Sequence, residues 1–285
     1  MRYQEFHPAP DLASWVKRFW TMEASASAPA PAWETILPDG SVEIVLNFGD
    51  PFLRLHDDGS IERQPPAILV GQMSRSIRLR PSGRVRLFGA RFLPGGAWGL
   101  LGFPQQEASG WIPPLDSVCG PRAGELLERV GAAANPVAAA EAFLRARPGR
   151  VSGIEPVVGW ITAAGGLVSV DELSRRSGWS GRQLRRRFLD VVGLPPKSLA
   201  RVVRLQRAAR ALSGHGRVNL AALAADCGYY DQSHFIRDFR DFAGCAPRQY
   251  LARNRPISDC FVGPEEPAVA DFYNPPARPS DRLEA

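Results

Sequence analysis

At 285 residues the chain is long enough for two domains, each burying its own core. Its 45% hydrophobic and 22% charged residues exclude wholesale disorder, and with neither an apolar signal core near the N-terminus nor a run of about 18 apolar residues, a cytoplasmic protein without a membrane partner is expected. The net charge of +6 is unevenly spread, because residues 1–150 carry 16 Lys and Arg against 15 Asp and Glu, residues 151–255 carry 17 against 8, and residues 256–285 carry 2 against 6, so the middle segment has the footprint of a surface that meets phosphates.

The first hundred residues read mainly as strands and turns. Ser41 to Phe48 sets Val42, Ile44, Leu46 and Phe48 on one side of a period-2 pattern after the turn Pro38-Asp39-Gly40. Ala67–Gly71, Ser76–Arg80 and Arg84–Phe92 repeat the theme between Gly- and Pro-bearing turns, which predicts a small barrel or sandwich. Trp15, Trp20, Trp33 and Phe48 are either its core or the lining of a pocket. After Pro94-Gly95-Gly96, the segments Ala97–Leu101, Arg122–Val130 and Pro136–Arg147 are rich in Ala, Leu and Glu and predict trailing helices. The expected class is therefore α+β, with a β-rich unit over 1–147, a Pro- and Gly-bearing linker over 148–153, an all-α unit over 154–255 and a Pro-rich acidic tail over 256–285. In that tail Asp271-Phe272-Tyr273-Asn274 is the expected anchor.

Two stretches of the basic segment share one design, VSVDELSRRSGWSGRQLRRRFLDVVGLPPKSL and VNLAALAADCGYYDQSHFIRDFRDFAGCAPRQYL. At a shift of 51, Leu184 meets Phe235, Phe188 meets Phe239, Gly193 meets Gly244, Pro196 meets Pro247 and Leu199 meets Tyr250. Before the turn the shift is 50, with Leu173 meeting Leu223 and Gly178 meeting Gly228, so the second copy holds one more turn residue. Each copy predicts a short helix, a turn opened by Gly and a longer helix: Val170–Ser177 with Ser180–Val192, then Leu220–Cys227 with Asp231–Ala243. Ser180 and Asp231 are the expected N-caps. Leu184 with Phe188, and Phe235 with Phe239, press inward at i, i+4 spacing. The opposite faces present Arg182, Arg185 and Arg186 in the first copy and Gln232, Ser233, His234 and Arg237 in the second. Arg can donate twice to guanine, and Gln can donate to and accept from adenine, so these residue types suit major-groove base edges. Between the copies, Pro196 to Leu212 predicts a helical spacer of about 25 Å, long enough to set two reading helices near one DNA turn, about 34 Å apart. Arg201, Arg204, Arg207 and Arg210 along it are candidates for phosphate contacts or for a solvated face.

The run Gly228-Tyr229-Tyr230-Asp231-Gln232-Ser233-His234-Phe235-Ile236-Arg237-Asp238-Phe239, continued by Gly244, Pro247 and Tyr250, resembles the signature of the AraC family of transcription regulators, with the likeness covering about residues 154–253. Tyr230 and Ala243 depart from the residues usual there. The resemblance implies two helix-turn-helix units joined by a long helix, with Arg182, Arg185, Arg186, Gln232, Ser233, His234 and Arg237 facing DNA. The N-terminal half, with LPDGSVEIVLNFGDP and FGARFLPGGAWGLLGF, looks like the cupin-like β-barrel sensor of one subgroup, which binds an effector or mediates dimerisation.

The expected function is sequence-specific, effector-responsive regulation of transcription, leaning towards activation. Its expected partners are duplex promoter DNA, RNA polymerase, an unidentified small-molecule effector and a second copy of the chain. Two alternatives stay open: an architectural protein that grips nucleic acid without choosing sequence, and a DNA-repair enzyme fused to the same kind of DNA-binding domain. The residues argue against an enzyme. The histidines at 7, 56, 215 and 234 include no closely spaced pair, and Cys119 and Cys260 have no adjacent His or Arg to activate them. No cofactor and no metal are expected, and Cys227 and Cys245 read as core thiols.

Overall fold

The computed structural model describes residues 1–25, 32–146, 148–213, 218–252 and 257. Nine strands come first: β1 Arg2–Phe6, β2 Val16–Ala24, β3 Glu34–Ile36, β4 Glu43–Asn47, β5 Phe52–Leu55, β6 Ile61–Arg63, β7 Ala67–Val70, β8 Ile77–Pro81 and β9 Val85–Phe92. They form two antiparallel sheets, a five-stranded one in the order β1-β2-β9-β4-β7 and a four-stranded one in the order β3-β8-β5-β6. The barrel reading is thereby corrected: among the described residues the sheets do not join into a closed barrel, and they face each other across a cavity instead. Strand β4 shows why. Its Ile44 and Leu46 point to one face and enter a core shared with helices, while Glu43, Val45 and Asn47 line the cavity. Because the five-stranded sheet is covered on both faces, β9 is buried at seven of its eight positions rather than at alternate ones.

The outer face is covered by α1 Gly96–Leu101, a 3-10 turn Gln105–Ala108, α2 Asp116–Cys119, α3 Arg122–Ala132 and α4 Pro136–Arg145. Leu126 and Val130 of α3, with Phe143 and Leu144 of α4, meet Leu46, Leu69 and Phe88 there. Of the four aromatics singled out above, only Trp20 lines the cavity; Trp15 and Phe48 pack on the helix-side core, and Trp33 lies under the Arg80 guanidinium, 4.6 Å from the ring centroid.

Seven helices follow: α5 Glu155–Ala163, α6 Val170–Ser177, α7 Gly181–Val191, α8 Pro196–Ser213, α9 Leu220–Asp226, α10 Gln232–Ala243 and α11 Pro247–Leu251. The four helices expected in the repeated units and the spacer helix occur within a residue or two of the expected bounds. Helix α5 was not anticipated; its Val157, Val158 and Ile161 complete the first unit's core with Leu173, Leu184 and Phe188. Helix α11 repeats the start of α8, so Tyr250 caps the second core as Leu199 caps the first.

The strand-bearing part and the helical part touch at specific polar points. Gln206 Nε2 of α8 donates to Pro38 O at 2.6 Å, Ser109 Oγ donates to Gly193 O at 2.6 Å, and Ser76 N donates to Phe242 O at 2.7 Å. Residues 148–153, expected to be a plain linker, are strapped to α1: Arg150 N donates to Gly99 O, and the Arg150 guanidinium lies 4.3 Å from the Trp98 ring centroid. The Asp271-Phe272-Tyr273-Asn274 island and Cys260 lie outside the described residues. Ile257 is the described contact of the tail; it is 5% exposed, packs with Trp20, Met22, Phe52 and Leu87, and its N donates to Glu34 Oε2 at 2.8 Å.

Gln206 is 7% exposed, so replacing it with Leu strands the Pro38 carbonyl without its donor in a buried place. Gln206→Leu should destabilise the protein by about 1–3 kcal/mol. A thermal unfolding midpoint indistinguishable from the parent would show that this bond carries no weight.

Candidate nucleic-acid interface

In the first helical unit, α6 ends at Gly178, whose φ of 70° is left-handed and unfavourable to any residue with a Cβ. Helix α7 then starts with a complete capping box. The Gln183 N donates to Ser180 Oγ at 3.3 Å, and the Ser180 N donates back to Gln183 Oε1 at 2.9 Å. This fixes the axis of α7 at its first turn, where Arg182 stands. Leu184 and Phe188 are fully buried below, while Arg182, Arg185 and Arg186 are exposed above, with no protein partner among the described residues.

Neighbouring arginines are committed elsewhere. Arg187 lies 4.5 Å from the Trp179 ring centroid, and both Arg175 and Arg176 pair with Glu172, whose carboxyl is held below its ordinary pKa first by the Arg176 hydrogen bond, against a small opposing effect of burial. What is free on this unit is therefore the trio on α7.

In the second unit, Gly228 takes the same left-handed turn at φ 71°, and Asp231 caps α10 by accepting from His234 N at 2.6 Å. Phe235 and Phe239 are fully buried and meet edge to face at 5.8 Å. Gln232, Ser233 and Arg237 are exposed, and no protein side chain engages them among the described residues. His234 differs from the other six expected positions, since it is half-buried with its ring edge-on to Tyr229 at 5.4 Å, so its outward reach is reduced.

Helix α10 is locked to α8 by one buried carboxylate. Asp238, 5% exposed, accepts from Arg201 Nε at 2.8 Å and Nη2 at 2.5 Å, and from Tyr229 Oη at 3.1 Å. Burial, then the Asp238 charge, pushes the Tyr229 hydroxyl well above its ordinary pKa, which keeps it a donor at any ordinary pH. The Arg201 guanidinium also lies 4.8 Å from the Phe242 ring centroid, and Arg204 lies 5.3 Å from that of Tyr229. Arg201, Arg204, Arg207 and Arg210, read from the sequence as candidates for phosphate contacts or a solvated face, are all half-buried, and the first two hold the second unit together.

A groove runs between α8 and the start of α10, lined by Lys197, Arg201, Arg204, Tyr230, His234 and Arg237, with three carboxylates below. Tyr230 is 93% exposed at its rim. The sequence marked Tyr230 only as an unusual residue, although its place in the longer turn of the second copy is the signal that it stands clear of the core.

Removing the Asp238 carboxylate leaves Arg201 and Tyr229 without their acceptor. Asp238→Ala should lower stability by about 2–4 kcal/mol, toward the low end because Arg201 is a third exposed. Urea unfolding measures it, and a loss under about 0.5 kcal/mol, the scatter of surface changes, would contradict the lock.

Residues 173–253 match a family described as a helix-turn-helix domain, and residues 4–110 match a family described as a domain of unknown function, DUF6597. A probable AraC family transcriptional regulator from Rhodopseudomonas palustris, of known structure, is 32% identical over the whole of that chain and 37% of this one, with a TM-score of 0.33. The F1 operon positive regulatory protein of Yersinia pestis is 37% identical over 84 residues, which are 30% of this chain; the match spans only 28% of that curated relative. ToxT from Vibrio cholerae aligns over 82% of this chain and 97% of its own at 10% identity and a TM-score of 0.48.

Proposed function

Because the chain belongs to the AraC family of transcriptional regulators, we propose that it is a cytoplasmic, sequence-specific DNA-binding regulator in which α7 and α10 enter neighbouring major grooves of one duplex. The single observation that carries this reading is the sorting of cations. Arg182, Arg185, Arg186 and Arg237 stand exposed and unpaired among the described residues on the outer faces of two capped helices, whereas Arg175, Arg176, Arg187 and Arg201 are tied to carboxylates or rings. A groove that met the outer faces of α7 and α10 would find uncommitted cations on both.

The roles divide by chemistry. Arg182, Arg185 and Arg186 read guanine edges or the flanking phosphates, Gln232 reads adenine, and Ser233 and Arg237 fix register on the backbone and adjoining bases. His234 contributes from the rim. Tyr230 adds an aromatic contact to the sugar-phosphate wall beside α10. Helix α8, with 18 residues and a length of about 27 Å, sets the spacing of the two readers.

The strand-bearing unit, residues 1–147, is the sensor, joined through 148–153 to the reading unit over 154–255. Its cavity between the sheets is the effector site. One part of the cavity wall, Leu37 to Ser41, is also the seat of α8, through the Gln206 bond to Pro38 O and the packing of Leu199 against Gly40. Another, Met73 to Ile77, includes the Ser76 bond to the last turn of α10. A molecule in the cavity that shifts either segment changes how both readers are presented. The Yersinia relative is named a positive regulatory protein, and activation through RNA polymerase is the direction we assign here.

Selection of bound duplexes from a random pool by the full chain tests the reading as a whole. Two preferred blocks about one helical turn apart are expected. Arg186→Ala should relax preference at one base pair by about 1–3 kcal/mol and leave the other block intact. Enrichment of no motif, with binding that falls steeply with salt on every sequence alike, would instead mean phosphate contact without readout.

A further inference from the structure

The cavity of about 110 Å³ between the sheets has two kinds of wall. Most of it is aliphatic and aromatic, with Ile36, Val45, Phe52, Ile68 and Leu87 among its residues. An apolar hole of about 150 Å³ holds one benzene ring, so this smaller one suits a short branched chain. The polar wall holds Asp39, Glu43 and Arg91, together with Ser41, Asn47 and Gln64.

The three charged groups form a closed set. The Arg91 Nε pairs with Glu43 Oε1 and lies 3.5 Å from Asp39 Oδ2, and the Arg91 and Glu43 side chains are 5% and 10% exposed. Burial pushes the Glu43 carboxyl up, against the pull of Arg91, while Arg91 stays charged because its two carboxylates outweigh its own burial. The one cation in the wall therefore already serves two carboxylates. An anionic head entering the cavity has to share one guanidinium with two carboxylates and adds a third negative charge beside Glu43 and Asp39. A cationic head has to draw those carboxylates away from Arg91 while lying beside it. Either charge is taken out of water without a partner of its own, which is the costly case.

The uncharged polar groups are in the opposite condition. Gln64 and Ser41, each 8% exposed, have side chains that make no hydrogen bond among the described residues. Asn47, by contrast, is satisfied, its Nδ2 donating to Asp50 O and its Oδ1 accepting from Gly49 N. The polar atoms of both keep some accessible surface, and both groups can donate as well as accept.

We propose that this cavity takes a small, uncharged, largely apolar molecule bearing one hydroxyl or amide-like group, seated with that group at Gln64 and Ser41 and barred from carrying charge by the closed Asp39–Arg91–Glu43 set. This rests on reading the cavity as the effector site and adds the class of molecule it accepts. Selectivity arises from two terms of opposite sign. A neutral head gains two hydrogen bonds that the empty wall lacks, while a charged head breaks an ion network to gain none.

Calorimetric titration of the full chain with 2-methyl-1-propanol, 2-methylpropanoate, 2-methylpropylamine and 2-methylbutane separates the possibilities, since the four share one branched apolar body. The alcohol should bind at least about tenfold more tightly than either charged compound. Gln64→Met should weaken the alcohol by about fivefold or more and leave 2-methylbutane unchanged or tighter, and Ser41→Ala should act in the same direction if the first variant does not fold. The carboxylate or the amine binding as tightly as the alcohol, or the alcohol indifferent to both substitutions, overturns the assignment of molecular class while leaving the cavity as a site. Binding of none of the four at millimolar concentration overturns the site itself, and the class with it.

Discussion

Helix α8 belongs to two hydrophobic cores at once, and that double membership constrains everything around it. Leu199 and Ala200 close the core of the first helical unit, while Val202, Leu205, Ala208, Ala209 and Leu212 build the second. From the strand-bearing part, Leu37 joins the second core and Gln206 reaches back to Pro38. A helix packed on so many sides cannot turn without moving all of them, because packed interiors are bistable rather than compliant. The two reading helices are thus held by one rigid member, and the strand-bearing part touches that member directly.

The polar chemistry follows the same logic. In the second unit the apolar stripe of α10 is interrupted by a carboxylate at Asp238, which a simple two-faced helix would place outside. It is inside because Arg201 and Tyr229 come to meet it from α8 and from the turn after α9. Three elements are fixed by one acceptor, and the geometry is specific in a way that apolar contact is not. The first unit has no such lock. It relies on the capping box at Ser180 and Gln183 and on the contact of α7 with the 3-10 turn at Gln105–Ala108, secured by Ser109 at Gly193 O.

Much of this was legible in the residues, and the limits of legibility have physical causes. The duplicated units were plain because a 3.6-residue apolar period, a glycine stop and an oxygen-bearing cap are all local signals, and they recur in register. The outward side of α7 follows from the inward one, so Arg182, Arg185 and Arg186 could be placed before any fold was known. His234 and the arginines of α8 could not, since whether a polar side chain is free depends on packing that helical spacing does not show: the Tyr229 ring folded back across the turn onto His234, and Asp238, 37 residues away, for Arg201. Strands β1, β2, β3, β5 and β6 lacked a clean period-2 signal for a different reason. β2 is covered on both faces and β6 is short and mostly exposed, so neither alternates. Short strands at regular spacing suit a barrel and a pair of sheets equally well, so the residues left both open and the sheet topology decides for the pair.

The charge network of the cavity wall lies beside the segment on which α8 rests. Asp39 sits between Pro38, whose carbonyl holds α8, and Gly40, whose carbonyl accepts from Gln72 Nε2 and whose Cα packs beneath Leu199. Its carboxylate faces Arg91, on the central strand β9. The segment from Leu37 to Ser41 is therefore pinned from the cavity side by an ion pair and from the helix side by a hydrogen bond, with no slack in between. A molecule that enters without disturbing the ion pair presses on this segment through shape alone, whereas one that disturbs it releases the segment from β9. The two kinds of molecule should move α8 in different ways, so, if the cavity is the effector site proposed above, discrimination against charge there is also discrimination in what reaches α7 and α10.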